Sequence, residues 1–481
     1  MAAVHSVSPA SPEGSSPPAP RTLGELRASG YESISVREEL RRNVAARLAA
    51  GVPLVTGVLG FEDSVVPQLE HALLAGHDVI LLGERGQAKS RIVRSLVGLL
   101  DEWLPIVAGS EINDDPYHPV SRHARDLVAE LGEQTPISWV GRADRYGEKL
   151  ATPDTAIADL IGEVDPIKVA EGRYLSDELT IHYGLVPRTN RGLFAINELP
   201  DLAERIQVGL LNVLEERDVQ IRGHKIRLPL DVVLVATANP DDYTSRGRII
   251  TPLKDRFGAQ IRTHYPRDVA TEVAIVAQEA VVPAAGPRLS FPAFMDEVVA
   301  RTSQAARQSG RVNQRSGVSV RLSVANHETL AAAALRRALL LGEREASPRV
   351  SDLAALESST LGKVEVESLE EGEDLELLGE LLDLAVRDTF RDRVPPERLP
   401  EVVGAFADGT TFGAGPSVPS EDYVRFVAAV PPLGRLVETL VGAEAPAPAV
   451  ASAVELVLEG LHLARRLNKD EAGATAAYRS R

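Results

Sequence analysis

Short runs of consecutive apolar residues mark three points along the chain, at residues 79–82, 193–196 and 232–236. Runs of this length, bounded by polar or turn-forming residues, are typical of strands that are buried on both faces. Helix-like apolar spacing follows the first two runs, at residues 91–100 and 201–216. Strands that alternate with helices predict an α/β fold, in which helices cover both faces of a parallel sheet.

The same pattern divides the chain into segments, since strand-like runs fade beyond residue 267 and helical spacing takes over. The predicted segments are a disordered tail at 1–20, an N-terminal helical segment at 21–53, an α/β domain at 54–267, a helical domain at 268–362 and an acidic helical extension at 363–481. Alternating apolar and polar residues at 219–228 predict a hairpin within the α/β domain. Residues 395–419 predict a loop-rich break, and the last dozen residues are expected to be frayed.

Composition narrows the classes of function. The formal net charge is −17, so the surface as a whole repels nucleic acid, and general nucleic-acid binding is not expected. No window approaches the roughly 18 apolar residues of a membrane span, and the N-terminus lacks the basic and apolar regions of a signal peptide. The chain has no cysteine, which excludes disulfides and thiolate metal sites and fits a reducing, cytoplasmic location.

A glycine-rich octet directly follows the first apolar run. It consists of Gly83, Glu84, Arg85, Gly86, Gln87, Ala88, Lys89 and Ser90. Between a strand and a helix, such a turn directs backbone N–H groups inward and adds the positive end of the helix dipole, which together bind phosphate. Lys89 would then contact the β- and γ-phosphates, and the Ser90 hydroxyl would ligate Mg²⁺. ATP and Mg²⁺ are therefore the expected cofactors.

Polar side chains also follow the other two runs. Asn197 and Glu198 come directly after residues 193–196, and Asn239 comes shortly after residues 232–236. Because ligands bind at the carboxyl ends of parallel strands, all three are expected at the same sheet edge as the octet. In ATP hydrolysis, Glu198 would act as the general base on the attacking water, and Asn239 would orient that water. The alternative for Glu198 is a surface carboxylate at a strand end, and the alternative for Asn239 is an Asn-Pro turn.

Together these segments resemble the AAA+ ATPases, specifically the branch that holds the MoxR chaperones and the I subunit of magnesium chelatase. The matching motifs are GERGQAKS as Walker A, LFAINE as Walker B, ATANP as sensor 1, and PLKDRFG at residues 252–258. Residues 162–192 and the hairpin segment 216–231 match the family's two insertions. The resemblance covers roughly residues 55–345 and implies an α/β core followed by an all-helical lid.

The resemblance implies roles for two arginines. Arg256 would be an arginine finger that reaches the γ-phosphate bound by a neighbouring subunit; the alternative is a helix-end salt bridge with Asp255. Arg321, at the start of a predicted lid helix, would be the sensor 2 residue. Arg311 and Arg315 lie close by in sequence, so that assignment stays open.

The resemblance also implies partners. An arginine finger that acts in trans requires an oligomer, and family members form hexameric rings, so a homo-oligomeric ring is expected. Arg188 and Arg191, just before Walker B, are further candidates for contact with a neighbour's nucleotide. A protein with a von Willebrand factor A domain and a protein client are the other implied partners.

Two residues depart from the family pattern. Ala88 stands where the P-loop has Gly, as in MoxR-like proteins, and no backbone strain is expected if it opens the helix with ordinary helical dihedrals. Asn197 stands where Walker B has Asp, and a neutral amide supplies no charge to the Mg²⁺ shell. We therefore hypothesise weak Mg²⁺ affinity and slow turnover, which Asn197→Asp should reverse.

Three functions remain open from the sequence. The first is a MoxR-like chaperone that uses ATP-driven subunit motion to remodel a protein client. The second is a magnesium chelatase subunit that drives metal insertion into a porphyrin. The third is a nucleotide-gated scaffold that binds ATP and assembles but hydrolyses it very slowly, and Asn197 is the residue that favours it.

Overall fold

The computed structural model describes residues 16–165, 178–215, 218–220, 227–239, 248–282, 286–313, 317–365, 372–407, 409–472 and 475–481. The chain divides into two compact units, one of residues 1–84 and 88–263 and the other of residues 85–87 and 264–481. Most of the predicted disordered tail, residues 1–15, lies outside the described part of the chain.

A parallel sheet forms the centre of the first unit. The strands of this unit are β1 Val79–Leu82, β2 Trp103–Val107, β3 Ile137–Gly141, β4 Tyr146–Leu150, β5 Gly162–Val164, β6 Ile181–Tyr183, β7 Gly192–Asn197, β8 Asp218–Gln220, β9 Arg227–Pro229, β10 Val232–Ala238 and β11 Ala259–Arg262. Five of them pair in the order β11-β1-β10-β7-β4, all parallel. The three predicted strands are its inner strands β1, β7 and β10, and every residue in them is buried.

Helices cover both faces of this sheet, which confirms the predicted α/β fold. The helices of the unit are α1 Leu23–Ala28, α2 Val36–Ala49, α3 Val65–Ala75, α4 Lys89–Ser95, α5 Arg122–Leu131, α6 Ile157–Leu160, α7 Leu185–Arg188, α8 Glu204–Glu215 and α9 Thr251–Arg256. Alternate residues of each strand point to opposite faces. Ile80 of β1 packs in one apolar cluster with Ile206 of α8, whereas Leu81 packs in another with Leu69 of α3.

The two edge strands, β4 and β11, have no counterpart among the predicted strands. Their sequences are YGEKL and AQIR, and their residues are mostly half-buried or exposed. An edge strand of a parallel sheet has a partner on one side only, so it buries less surface and needs no continuous apolar run. The run of consecutive apolar residues that predicts the inner strands is therefore missing from both edge strands.

Short antiparallel pairs account for both predicted insertions as far as the structure describes them. β8 pairs with β9, so the hairpin predicted at 219–228 is present, with residues 221–226 outside the described part. β5 pairs with β6 within the insertion predicted at 162–192, of which residues 166–177 are not described.

A buried ion pair fixes helix α2 to the segment that leads into strand β4. The Arg145 guanidinium is fully buried and donates to both carboxylate oxygens of Glu39 on α2, at 2.5 and 2.8 Å. It also donates twice to the main-chain carbonyl of Arg191, at 2.6 and 2.9 Å. Since both charges are out of water, each is stable in place only while the other is present.

The second unit is mainly helical. Its helices are α10 Val269–Glu279, α11 Ala293–Gln308, α12 Val320–Leu341, α13 Glu357–Thr360, α14 Glu373–Arg393, α15 Leu399–Ala407, α16 Ser420–Ala429, α17 Pro431–Val441 and α18 Ala447–Leu463. The unit also has two strands of two residues each, β12 Arg288–Leu289 and β13 Glu345–Ala346. One apolar cluster takes Phe294 from α11, Phe390 from α14 and Leu456 from α18, so early and late helices of this unit share a core. Within the described residues, no helix combines the length and the apolar composition that crossing a bilayer requires.

Two predictions for the C-terminal region are wrong. The loop-rich break expected at 395–419 contains helix α15 and a short strand, β14 Phe412–Ala414. The expected frayed end forms β15 Leu467–Ala472 and β16 Thr475–Ser480, which pair with β14 in an antiparallel sheet. Tyr478 anchors this end, because its ring is buried and its hydroxyl donates to Glu459.

The buried ion pair gives a stability test for the first unit. Arg145→Ala leaves the Glu39 carboxylate buried without its partner, so we expect the free energy of unfolding to fall by about 3–5 kcal/mol. Both tryptophans of the chain, Trp103 and Trp139, lie in this unit, so their fluorescence in a urea titration reports its unfolding.

Arg42→Ala is the matched control, because Arg42 pairs with Asp101 at the surface, where its side chain is 52% exposed. An exposed pair of this kind contributes about 0–1 kcal/mol. Equal losses in the two variants would contradict the assignment of Arg145 as the residue that fixes α2.

Candidate nucleotide-binding site

The phosphate-binding loop is joined at its start to the neighbouring strand. Gly83 follows β1 directly, and its N–H donates to the carbonyl of Ala238 at the end of β10, at 3.0 Å. Helix α4 then begins at Lys89, so the N–H groups of its first turn face the loop. Strand, loop and helix N-terminus thus have the order that the octet predicts.

Lys89 is buried, and its ammonium lies inside the loop. The Nζ atom donates to the carbonyls of Gly83 at 2.5 Å and of Glu84 at 2.7 Å. A phosphate that enters the loop competes for this ammonium with two neutral carbonyls. The exchange is favourable, because hydrogen bonds between two charged groups are stronger than those to neutral acceptors.

Ala88 does not have the helical dihedrals expected from the sequence. Its φ and ψ are 53° and 12°, in the left-handed region, and it caps the N-terminus of α4. A residue with a Cβ pays for this conformation with about 1–2 kcal/mol, which glycine avoids. The expectation of an unstrained alanine is therefore wrong, and the geometry explains why the P-loop has Gly at this position.

The Walker B pair, Asn197 and Glu198, lies at the end of β7, which is separated from β1 by strand β10. Asn197 ends β7 and is buried, and its Oδ1 atom lies 3.5 Å from the Ser90 hydroxyl oxygen and 3.3 Å from that of Thr237. Glu198 is half-buried, and its φ and ψ of 54° and 49° also fall in the left-handed region. Its N–H donates to the Thr237 hydroxyl at 3.1 Å. Strained backbone of this kind is concentrated at functional sites.

Asn239 completes the sheet edge. It directly follows β10, is 3% exposed, and lies between the ends of β1 and β7, because β10 pairs with both strands. The structure therefore brings Lys89, Ser90, Asn197 and Glu198 to the same edge as Asn239, as the sequence predicts. ATP with Mg²⁺ fits this set, since Mg²⁺ prefers one or two protein oxygens together with phosphate oxygens and water.

Arg256 is the last residue of α9, and the chain after it enters edge strand β11. The side chain is half-buried, and its NH1 group donates to the carbonyl of Pro252 in the same helix at 2.9 Å. The role of an arginine finger stays a prediction, because it concerns a second subunit.

Arg321 lies in the first turn of α12 and is exposed. Of the two alternatives for sensor 2, Arg311 pairs with Glu380 of α14 at 2.7 Å, and Arg315 lies outside the described residues. The pairing of Arg311 within its own unit favours Arg321, whose role stays a prediction.

The expectation for Arg191 is wrong. Its side chain is 4% exposed, and its guanidinium donates to the carbonyl of Pro105 at 2.8 Å and to the Tyr31 hydroxyl at 3.3 Å. It precedes β7, so it lies at the amino end of the strand, away from the edge with the P-loop. Arg188 is exposed at the end of α7.

A site residue that the sequence did not single out is Glu148 on edge strand β4. Its Oε1 atom accepts a hydrogen bond from the Asn197 side-chain amide at 2.5 Å. Arg94 of α4 donates to both of its oxygens, at 2.9 Å each, and the Tyr146 hydroxyl donates at 3.0 Å. The hydrogen bonds from Arg94 hold the pKa of Glu148 below its usual value, against the opposing effect of burial. The carboxyl is therefore ionised at neutral pH.

Sheet order and site together define an AAA+ type nucleotide-binding domain, with the phosphate loop after β1 and the Walker B pair after β7. A family model described as the Sigma-54 interaction domain matches residues 170–253. The magnesium-chelatase subunit ChlI of Anabaena variabilis is 30% identical over 206 residues, which cover 42% of this chain and 56% of that protein.

Two further proteins are similar to parts of this chain. The magnesium-chelatase 38 kDa subunit of Rhodobacter capsulatus is 29% identical over 234 residues, 46% of this chain and 59% of that protein. A cryo-EM-based structure of the complex between subunits BchI and BchD of magnesium chelatase aligns at 23% identity, over 69% of this chain and 95% of that one, with a TM-score of 0.36. The chain spans about half the length of the curated relatives it matches. The sequence relatives confirm the predicted resemblance: this chain is similar to the magnesium chelatase I subunits over somewhat less than half of its length, and it has the predicted α/β core.

The left-handed conformation of Ala88 gives a direct test. Ala88→Gly removes the Cβ that makes φ of 53° unfavourable, so we expect the first unit to become more stable by about 0.5–1 kcal/mol. Urea unfolding followed by tryptophan fluorescence measures the change. Ala50→Gly is the control, since Ala50 caps α2 with φ of −87° and gains nothing from glycine. Ala88→Gly being no more stable than Ala50→Gly would rule out backbone strain at this position.

Proposed function

We propose that this protein is an ATPase that works as a homo-oligomeric ring. The observation that carries the proposal is the meeting of Lys89, Ser90, Glu198 and Asn239 at the carboxyl ends of three adjacent strands, β1, β10 and β7. Such a set provides a phosphate cradle, a metal ligand, a general base and a water-orienting amide, which are the parts that phosphoryl transfer to water needs.

Each residue contributes one part of the hydrolysis. The N–H groups of the loop and the Lys89 ammonium bind the β- and γ-phosphates, and the Ser90 hydroxyl ligates Mg²⁺, which offsets phosphate charge when it is bound. Glu198 accepts a proton from the attacking water, and Asn239 holds that water by a hydrogen bond. Arg256 from the neighbouring subunit neutralises the charge that develops on the γ-phosphate.

The second part of the proposal concerns the task that ATP hydrolysis drives. We infer a MoxR-type chaperone that remodels a protein client in the cytoplasm, with a von Willebrand factor A domain protein as a partner. Ala88 supports this choice, because the MoxR-like pattern has alanine there. The acidic helical extension of the second unit would contribute to docking of the client.

A second candidate is a chelatase-type ATPase subunit. The curated relatives are magnesium chelatase subunits, and this observation favours the second candidate. A third candidate, the slow scaffold, rests on Asn197 in place of the Walker B aspartate. The experiments below separate it from the first two.

The test combines nucleotide binding, turnover and size for three forms of the full chain. Lys89→Ala removes the ammonium that contacts the phosphates, so we expect ATP binding to weaken at least tenfold and hydrolysis to disappear. Glu198→Gln keeps the shape of the base without its basicity, so we expect normal ATP binding and a turnover about 10²–10⁴-fold lower. Normal ATP binding by Lys89→Ala would refute the site. Turnover that does not change in Glu198→Gln would favour the scaffold.

Mixing subunits tests the arginine finger. Arg256→Ala alone should bind ATP normally and hydrolyse it slowly, because it removes a charge from the neighbour's site rather than from its own. Mixed with Lys89→Ala subunits, it should regain part of the activity, since Lys89→Ala subunits supply an intact Arg256 to its site. Arg122→Ala is the control, as Arg122 lies at the surface on α5, 48% exposed. No recovery in assembled mixtures would place Arg256 outside the neighbour's site.

A further inference from the structure

The amide that replaces the Walker B aspartate has its own carboxylate partner. Asn197 and Glu148 lie on paired strands, β7 and β4, where Leu150 is opposite Asn197 and Glu148 is two residues earlier. The Asn197 Nδ2 atom donates to Glu148 Oε1 at 2.5 Å. This contact joins the centre of the site to the edge of the sheet.

The contact determines which way the amide faces. An ionised carboxylate only accepts hydrogen bonds, so the atom of Asn197 that faces Glu148 must be the NH₂ group. The oxygen of the amide then points the other way, towards Ser90 at 3.5 Å and Thr237 at 3.3 Å. In the opposite orientation, NH₂ hydrogens would face the hydroxyl that ligates Mg²⁺, and the amide oxygen would face a carboxylate.

We propose that Glu148 is a positioning residue of the Mg²⁺ site, which holds Asn197 so that its oxygen faces Ser90 and the metal's water shell. The inference rests on the proposed function, since it assigns a role within that same site. Partners outside the ligand shell of a metal act in this way in other proteins, and their loss costs about 10–100-fold in metal affinity.

Glu148 itself is held in place by several donors. Its two oxygens accept hydrogen bonds from Arg94 twice, from Tyr146 once and from Asn197 once. Arg94 balances the negative charge of Glu148, so the carboxylate brings little net charge to the metal. Its contribution is therefore the orientation of the amide.

The same contacts extend to the general base. The Thr237 hydroxyl donates to the Asn197 oxygen and accepts the N–H of Glu198, at 3.3 and 3.1 Å. A change in the orientation of Asn197 removes the acceptor for Thr237 and loosens the support of the strained Glu198 backbone. Glu148 thus acts on both the metal side and the water side of the site.

The geometry changes the expectation for Asn197→Asp. The new carboxylate would face Glu148 at the distance of the present hydrogen bond, and two carboxylates this close repel each other. The gain expected from the sequence therefore requires that Glu148 become neutral as well. In the double variant Glu148→Gln with Asn197→Asp, the glutamine amide can donate to the aspartate, and the polarity of the contact is reversed.

The experiment measures how binding of a fluorescent, non-hydrolysable ATP analogue to the full chain depends on Mg²⁺. We compare the Mg²⁺ concentration for half-maximal binding in wild type, Glu148→Gln, Asn197→Asp and the double variant. Glu130→Gln is the control, because Glu130 is an exposed carboxylate on α5 of the same unit. The affinity for the ATP analogue in the presence of EDTA reports nucleotide binding by the phosphate loop without metal.

We expect Glu148→Gln to raise the half-maximal Mg²⁺ concentration about tenfold, with affinity in EDTA unchanged within about twofold. The double variant should need no more Mg²⁺ than wild type, and clearly less than Asn197→Asp alone. Should Glu148→Gln alone fail to fold, the comparison of Asn197→Asp with the double variant carries the same test.

Two results would overturn the inference. One is a Mg²⁺ dependence of Glu148→Gln equal to that of Glu130→Gln; the other is a double variant no better than Asn197→Asp. Failure of the proposed function itself looks different, because wild type would then bind no nucleotide at any Mg²⁺ concentration.

Discussion

The parallel pairing of β1, β10 and β7 is the constraint on which the rest of the site depends. Because the three strands run in the same direction and in register, their carboxyl ends lie side by side. Three segments that are far apart in the chain are thereby brought together: the phosphate loop at residues 83–90, the Walker B pair at 197–198 and Asn239. Buried apolar side chains on both faces hold the sheet, so the polar edge is supported by a core that takes no part in the chemistry.

At this edge the backbone is strained where the chemistry is expected. Ala88 and Glu198 both have left-handed dihedrals, and each lies directly beside a residue of the proposed site. Such conformations persist only when the surroundings determine them. The N–H of Glu198 is held by Thr237, which in turn contacts Asn197, and Asn197 is held by Glu148. The orientation of the general base and that of the Walker B amide are therefore parts of one hydrogen-bonded chain.

The sequence predicts the inner strands and the motifs at their ends, because full burial demands continuous apolar runs and the turns after them carry the polar residues. It does not predict β4 and β11, since edge strands bury less, and so Glu148 could not be placed next to Asn197. Arg191 illustrates a different limit. The sequence shows that it precedes Walker B, but only the fold shows that its guanidinium is buried against Pro105 and Tyr31. The sequence does not predict the C-terminal hairpin, because its strands, LNKDEA and TAAYRS, are rich in polar residues and contain no continuous apolar run.

The most direct measurement is a crystal structure of the full chain with Mg²⁺ and a non-hydrolysable ATP analogue. We expect the Lys89 ammonium to leave the carbonyls of Gly83 and Glu84 for the phosphates. We also expect the Asn197 oxygen to face the metal's water shell, with the Glu148 contact retained. A nucleotide bound away from the loop after β1, or an Asn197 amide whose NH₂ group faces the metal, would contradict the proposed site.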